Sequence, residues 1–285
     1  MSQRDGQAST LVSTDWLLPR LGQAGLAVLD VRWALPEGAD RAGYLEAHIP
    51  GAAFIDLERD LAGPAGPAGR HPLPSPDQFA KAMRRAGVDE DSTVVAYDGG
   101  TGAAARAWWL LHASGHVRAA VLDGGWDGWR GRGHPTVMGE EASRGGTFRA
   151  HDFEGWVGAD ELAALLRRGE VVLDARSHER YLGQPSPLDP RPGHVPGATN
   201  LPWSDAYARG LVRSADELSR LLRDAGRGRV PAAAYCGSGV TACSLILALA
   251  SAGVEGVRLY PGSWSEWAQD PGRPAETGEG VSRGG

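Results

Sequence analysis

The sequence has only two cysteines, Cys236 and Cys243, among its 285 residues. That is too few for a disulfide framework or a cysteine-rich metal motif. Seven positions of loop and helix separate the two thiols, so Cys243 is expected to be a small core residue. Long apolar runs are missing too. The longest, Ala242 to Ala252, is interrupted by Ser244 and Ser251 and is too short to span a bilayer, and the N-terminus has no apolar stretch of signal-peptide length. No block rich in lysine or arginine stands out against the formal net charge of −6, which argues against a nucleic-acid or membrane-surface binder. Any anionic substrate must therefore be held by local cations. The cytoplasm is the default location, and nothing in the pattern asks for a metal or a cofactor.

What is present is a soluble globular composition, 42% apolar and 22% charged, in a chain long enough for two hydrophobic cores. The two halves repeat one another. Trp16 is answered by Trp156, Val28-Leu29-Asp30-Val31-Arg32 by Val172-Leu173-Asp174-Ala175-Arg176, and His48-Ile49-Pro50-Gly51-Ala52 by His194-Val195-Pro196-Gly197-Ala198. Val95-Ala96-Tyr97-Asp98 is answered by Ala233-Ala234-Tyr235-Cys236, and Gly124-Gly125-Trp126 with Trp129 by Gly262-Ser263-Trp264 with Trp267. Ordered matches at nearly constant offset mean two copies of one domain. They are expected at residues 10–138 and 155–270, with 139–154 as a linker that includes the Gly-rich, charged stretch Gly139 to Gly146. Met1 to Ser9 and Pro271 to Gly285, polar and rich in Gly or Pro, are expected to be loose.

Within the second copy, short apolar runs alternate with helical patterns. Val171 to Asp174, Ala198 to Leu201, Val230 to Tyr235 and Val257 to Leu259 read as strands; Ala215 to Ala225 and Thr241 to Ala252 read as helices. Strands alternating with helices predict an α/β fold, each copy a small parallel sheet flanked by helices. In the first copy, the Ala-rich helix after Gly102 carries Trp108, Trp109, Leu110 and Leu111 as core packing.

The stretch Tyr235-Cys236-Gly237-Ser238-Gly239-Val240-Thr241-Ala242 lies where a strand ends and a helix begins. Successive backbone N–H groups there can point inward at an anion, and a helix N-terminus or nearby cations favour the thiolate form of a cysteine. Cys236 is thus placed as a nucleophile. The two glycines let the backbone approach closely. His48 and His194 precede Pro-Gly turns in both copies, including the copy without the cysteine, so they are expected to be structural. Asp98 stands in the matching place of the first copy and is expected to cap a turn.

These residues carry a family resemblance. The Cys236 to Ala242 loop, the paired Asp-x-Arg, the His-(Ile/Val)-Pro-Gly-Ala repeat and the two-tryptophan endings resemble the two-domain rhodanese-like sulfurtransferases over nearly the whole chain. The order Cys-Gly-Ser-Gly-Val-Thr looks like the 3-mercaptopyruvate branch; thiosulfate-preferring members carry a basic pair where Gly237 and Ser238 stand. The resemblance implies two tandem rhodanese-like domains and transfer of a sulfane sulfur from an anionic donor. The sulfur would pass through a Cys236 persulfide to an acceptor such as a small thiol, a thioredoxin-like protein or cyanide. It implies that Ser238 and His71 act beside Cys236, and that the loop residues Gly237, Gly239, Val240 and Thr241 supply N–H groups to the sulfur. Arg180 and Arg191 would hold the donor carboxylate. His71 would reach over from the first copy, Glu58 falls where relatives have an aspartate, and Asp174 with Arg176 would brace the loop. With a neutral loop, 3-mercaptopyruvate is the expected better donor.

Two other readings are separated by residues. Arsenate reductases and tyrosine-type phosphatases need Cys, five residues and then Arg, and Ala242 stands where that arginine would be. A rhodanese-like sulfur-carrier or binding module needs only the cysteine loop; Arg180 and the second domain favour an enzyme.

Overall fold

The structure is a computed structural model and describes residues 10–142, 144–226 and 228–279. Met1–Ser9 and the last residues of the tail lie outside them. The described chain forms two compact units. The first runs to Gly63 and takes in Pro74–Glu154 and Arg209–Leu211; the second takes Pro64–Leu73, Gly155–Ala208 and the described residues from Val212 onward.

The first unit is built on five parallel strands, in the order Leu11–Val12, Ala119–Leu122, Thr93–Tyr97, Leu26–Asp30 and Ala52–Phe54. The central strands are nearly continuous Val, Leu and Ala because both faces are covered. The helix Pro76–Arg85 starts where Ser75 accepts from the Gln78 N–H and Pro76 occupies the first turn. In the helix Ala103–Ala113, Trp108, Trp109, Leu110 and Leu111 are all buried. Val28, Val95, Tyr97, Trp126 and Trp129 share one core.

The second unit has four parallel strands, in the order Arg258–Leu259, Ala233–Tyr235, Val172–Asp174 and Thr199–Asn200. Helices Ala159–Arg167, Ala215–Gly226 and Thr241–Ser251 alternate with them. The strand expected from Val230 begins only at Ala233, and Val230 is 61% exposed. Pro231 has no N–H to give a ladder, so pairing starts after it.

The duplication is visible bond by bond. Arg32 forks onto Asp30 in the first unit and Arg176 onto Asp174 in the second, with shortest distances of 2.7 and 2.6 Å. Each arginine also donates to a backbone carbonyl, of Ala47 and Gly193, and lies over a tryptophan, Trp126 and Trp264. Tyr44 and Tyr181 stack on His48 and His194, whose Nδ1 atoms meet the Tyr44 and Tyr181 carbonyls. These histidines therefore tie the turn to the preceding helix in both copies.

The C-terminal tail, expected to be loose, is tied down over its described residues. From Pro271 to Glu279 the tail packs on the second unit: the Pro274 carbonyl accepts from Trp267 Nε1 at 2.8 Å, Glu276 exchanges backbone hydrogen bonds with His194, and Gly278 N–H donates to Leu182. The reason is repetition, since Trp129 Nε1 holds the Pro135 carbonyl at 2.9 Å in the first unit. The stretch read as a linker likewise follows the first unit, with Gly139, Gly146 and Phe148 hydrogen-bonded to Leu45, Arg84 and Val88. Among the described residues no helix is long and apolar enough to cross a membrane.

Candidate active site

The strand Ala233–Tyr235 ends on Cys236, and the chain turns through Val240 into the helix Thr241–Ser251. Asp174 lies at the end of the neighbouring strand and receives the Arg176 N–H at 3.0 Å, which holds that strand end to its own side chain. Cys236 is fixed on both sides: its N–H donates to Ser263 Oγ at 3.1 Å and its carbonyl accepts from Trp264 N–H at 3.0 Å. Its Sγ accepts the Gly239 N–H at 3.1 Å. The turn that brings that N–H round needs Gly239 at φ +77, where a side-chain carbon would meet the Pro261 carbonyl oxygen at 2.4 Å. Val240 is buried and Thr241 opens the helix.

The first unit carries the matching loop. There Asp98 takes the cysteine's place, and its carboxylate accepts from Gly100 N–H at 2.7 Å and Ala104 N–H at 2.9 Å. Trp126 N–H donates to the Asp98 carbonyl as Trp264 does to Cys236. Burial pushes the Asp98 carboxyl up, and the loop N–H groups oppose it. A loop of this shape in this chain thus turns backbone N–H groups onto an acceptor atom, in one unit oxygen and in the other sulfur.

Ser238 and His71, both buried, meet with Oγ and Nδ1 2.9 Å apart. His71 lies on Pro64–Leu73, which precedes most of the first unit's core in the chain yet belongs to the second unit. That segment is anchored by Arg70, whose N–H donates to Ser265 Oγ at 2.9 Å.

Gly237 carries no side chain, and the space is filled by cations. A carbon built there would lie 2.8 Å from Arg180 Nη2 and 3.4 Å from Arg70 Nη2. Arg180 forks onto Asp189, with Nε at 2.8 Å from Oδ2. Arg70 donates Nη1 to the Leu188 carbonyl at 2.8 Å, while its Nε is buried without a partner. Among the described residues it makes no ion pair, unlike Arg180. Burial pulls the Arg70 guanidinium down, Cys236 being the largest opposing influence. A guanidinium stays charged in proteins, so the site has an unmet demand for an anion. A cavity of about 470 Å³ is lined by Gly66, Arg70, Leu188, Asp189, Ser265 and Gln269 among others. Neither Cys236 nor Arg180 is in its lining; of the two arginines that stand over Gly237, the cavity reaches Arg70.

Arg191 is not brought to this place in the way the sequence led us to expect. Its Nη2 donates to the carbonyls of Arg273 at 2.6 Å and Asp270 at 3.4 Å, so it braces the tail. The Pro190 and Pro192 neighbours turn it toward that tail while Asp189 faces Arg180. Glu58 belongs to the first unit, where its Oε1 accepts from Trp33 Nε1 at 3.1 Å. Sequence reasoning missed Arg70 and Asp189. The first was visible only as the neighbour of His71 and the second only as the neighbour of Arg191, and no periodicity marks either.

The family model described as Rhodanese-like domain matches residues 13–132 and 158–270. The chain is 44% identical over 284 residues to the "Probable 3-mercaptopyruvate sulfurtransferase" of Pseudomonas aeruginosa, covering 95% of this chain and 99% of that one. It is 37% identical over 271 residues to the thiosulfate sulfurtransferase of Gallus gallus, covering 90% and 92%. Among solved structures, SseA from Escherichia coli superposes with a TM-score of 0.80 at 34% identity, over 91% of this chain and 100% of that one.

Proposed function

The chain belongs to the rhodanese-like family, and on that premise we propose that this sulfurtransferase takes a sulfane sulfur from 3-mercaptopyruvate or thiosulfate as a persulfide on Cys236. A thiol acceptor or cyanide then removes the sulfur. The observation that carries the reading is the grouping at the cysteine loop: a loop N–H on Sγ, a loop serine paired with His71 and an arginine fork over the adjacent glycine. Relatives named for both donors stand at similar identity, so the site itself must argue the donor.

With 3-mercaptopyruvate, the carboxylate is held by Arg180, exchanging with Asp189 for the fork. The Cys236 thiolate attacks the donor sulfur, the S–S bond forms and the C–S bond breaks. Its electron pair leaves as the enolate of pyruvate. Ser238 donates to the developing enolate oxygen and His71 relays the proton that was on the donor sulfur to the departing carbon. Pyruvate leaves, and the anionic persulfide keeps the place of the thiolate among the loop N–H groups of Gly237 to Thr241. Asp174 and Arg176 hold the strand end beneath the loop, and Arg191 holds the tail. Two free cysteines, one of them this nucleophile, suit a reducing compartment, and the cytoplasm is the location proposed.

The test is cyanolysis with 3-mercaptopyruvate and with thiosulfate side by side. Thiocyanate from at least one donor, lost in Cys236→Ser, is expected; a protein that accepts one sulfur but never turns over would instead be a sulfur carrier.

A further inference from the structure

The loop beside Cys236 is neutral in sequence, yet the volume above Gly237 is not. Two guanidinium groups fill it, and only one of them is neutralised. Arg180 already has the Asp189 carboxylate, whereas Arg70 has a carbonyl on Nη1 and a buried Nε with nothing to bond. Counting carboxylates near Gly237, Asp189 meets one of the two guanidinium charges, and among the described residues none meets the other. A donor monoanion can be accommodated by exchanging with Asp189 on Arg180. A donor dianion brings one more negative charge, and Arg70 is the group left to meet it.

Resting on the sulfurtransferase reading above, we propose that Arg70 is a specificity-determining residue that binds the second negative charge of a dianionic sulfur donor of the thiosulfate class. It takes the place of a basic side chain on the loop. Gly237 is part of the device, because any side chain there would occupy the volume the two guanidinium groups use. The Arg70 backbone is held independently, by Ser265 Oγ, so the side chain can be changed without releasing the segment that carries His71. The reaction it serves is balanced without further reagents. The Cys236 thiolate attacks the outer sulfur of thiosulfate, a new S–S bond forms, and the original S–S bond breaks with its electron pair leaving on sulfite. Three negative charges are present before and after, one on the enzyme and two on the small ion. The same Arg70 fork that binds the donor therefore faces the sulfite dianion as it leaves.

The test compares donors in Arg70→Met and Arg70→Lys. Loss of a charge-assisted hydrogen bond in Arg70→Met is expected to lower kcat/KM for thiosulfate by roughly ten- to a hundredfold, mostly through KM, and for 3-mercaptopyruvate by less than about fivefold. Arg70→Lys, which keeps the charge without the fork, should recover part of the thiosulfate activity alone. Sulfite should compete with thiosulfate in the wild type and lose that competition in Arg70→Met. Should Arg70→Met not fold, the Lys variant and sulfite inhibition of the wild type carry the same comparison. An equal fall for both donors would mean a merely structural role, and an unchanged ratio would mean no role; either overturns the proposal while leaving the sulfurtransferase reading standing. A wild type that uses 3-mercaptopyruvate but not thiosulfate also overturns it. A wild type that uses neither donor removes the reading on which it rests.

Discussion

Replacing Gly237 by alanine adds one carbon at the most informative point of the molecule. The new atom would sit 2.8 Å from Arg180 Nη2, about a full ångström inside the separation at which carbon and nitrogen pack without repulsion. The obstacle is the end of a flexible side chain, and Gly237 is not in the left-handed region, so the backbone has no reason to give. The fork of Arg180 moves instead, off Asp189 and off the donor. Misplacement of a binding group by about 1 Å can cost on the order of a hundredfold in rate, whereas the stability change should stay within about 1 kcal/mol. Gly239→Ala is the contrast. There the new carbon meets a backbone oxygen at 2.4 Å and the φ of +77 is itself unfavourable, by roughly 1–2 kcal/mol before the clash is added. Steady-state cyanolysis and thermal unfolding of both variants separate the two effects. Gly237→Ala should unfold near the wild-type temperature with kcat/KM down about tenfold or more, and Gly239→Ala should unfold well below it. Full activity in Gly237→Ala would refute the claim that the arginines over that glycine hold the donor.

Ser238→Ala and His71→Ala should each reduce kcat by roughly 10²–10⁴, less than loss of the nucleophile, and the double variant should be little worse than the more damaging single one, since the two act through one hydrogen bond; additive losses would dissolve the pair. Arg176→Met should lower stability by about 3–5 kcal/mol because it leaves Asp174 buried and unpaired, and a denaturant midpoint close to wild type would contradict that. Burial holds His112, His116 and His194 below their ordinary 6.5. As pH falls through about 6.5 the unfolded chain therefore binds protons that the folded chain refuses, and stability must fall with it. Thermal midpoints should drop between about pH 7.5 and 5.5, and a flat or rising trend would show that other groups dominate.

The duplication made the fold legible. Offsets that stay nearly constant across Asp30 and Asp174, His48 and His194, and Trp126 and Trp264 can only come from repeated units, and the structure repeats their hydrogen bonds one for one. Cys236 was legible because strand, glycines and helix are contiguous in sequence. What was not legible depended on side chains meeting across long separations. The tail was expected to be loose from its composition, yet Trp267 and His194 hold it by backbone groups that composition does not reveal. Arg191 and Asp189 are two positions apart, and which one turns toward Arg180 is decided by the path of a Pro-rich loop. Arg70 was hidden behind the neutral Gly237 and Ser238, because a glycine's empty volume can be filled from 167 positions away, the separation of Gly237 and Arg70, just as His71 fills its place beside Ser238.

The central claim is that sulfur rides on Cys236. The direct measurement is intact-protein and peptide mass spectrometry after treatment with 3-mercaptopyruvate or thiosulfate, before any acceptor is added, on the wild type, Cys236→Ser and Cys243→Ser. Cys243 is fully buried, with its Sγ on the Gly239 carbonyl, and should stay unmodified. One added sulfur on the Cys236 peptide is expected in the wild type and in Cys243→Ser. It should be absent in Cys236→Ser and removed by cyanide. Added sulfur on Cys243, or turnover by Cys236→Ser, would contradict the account.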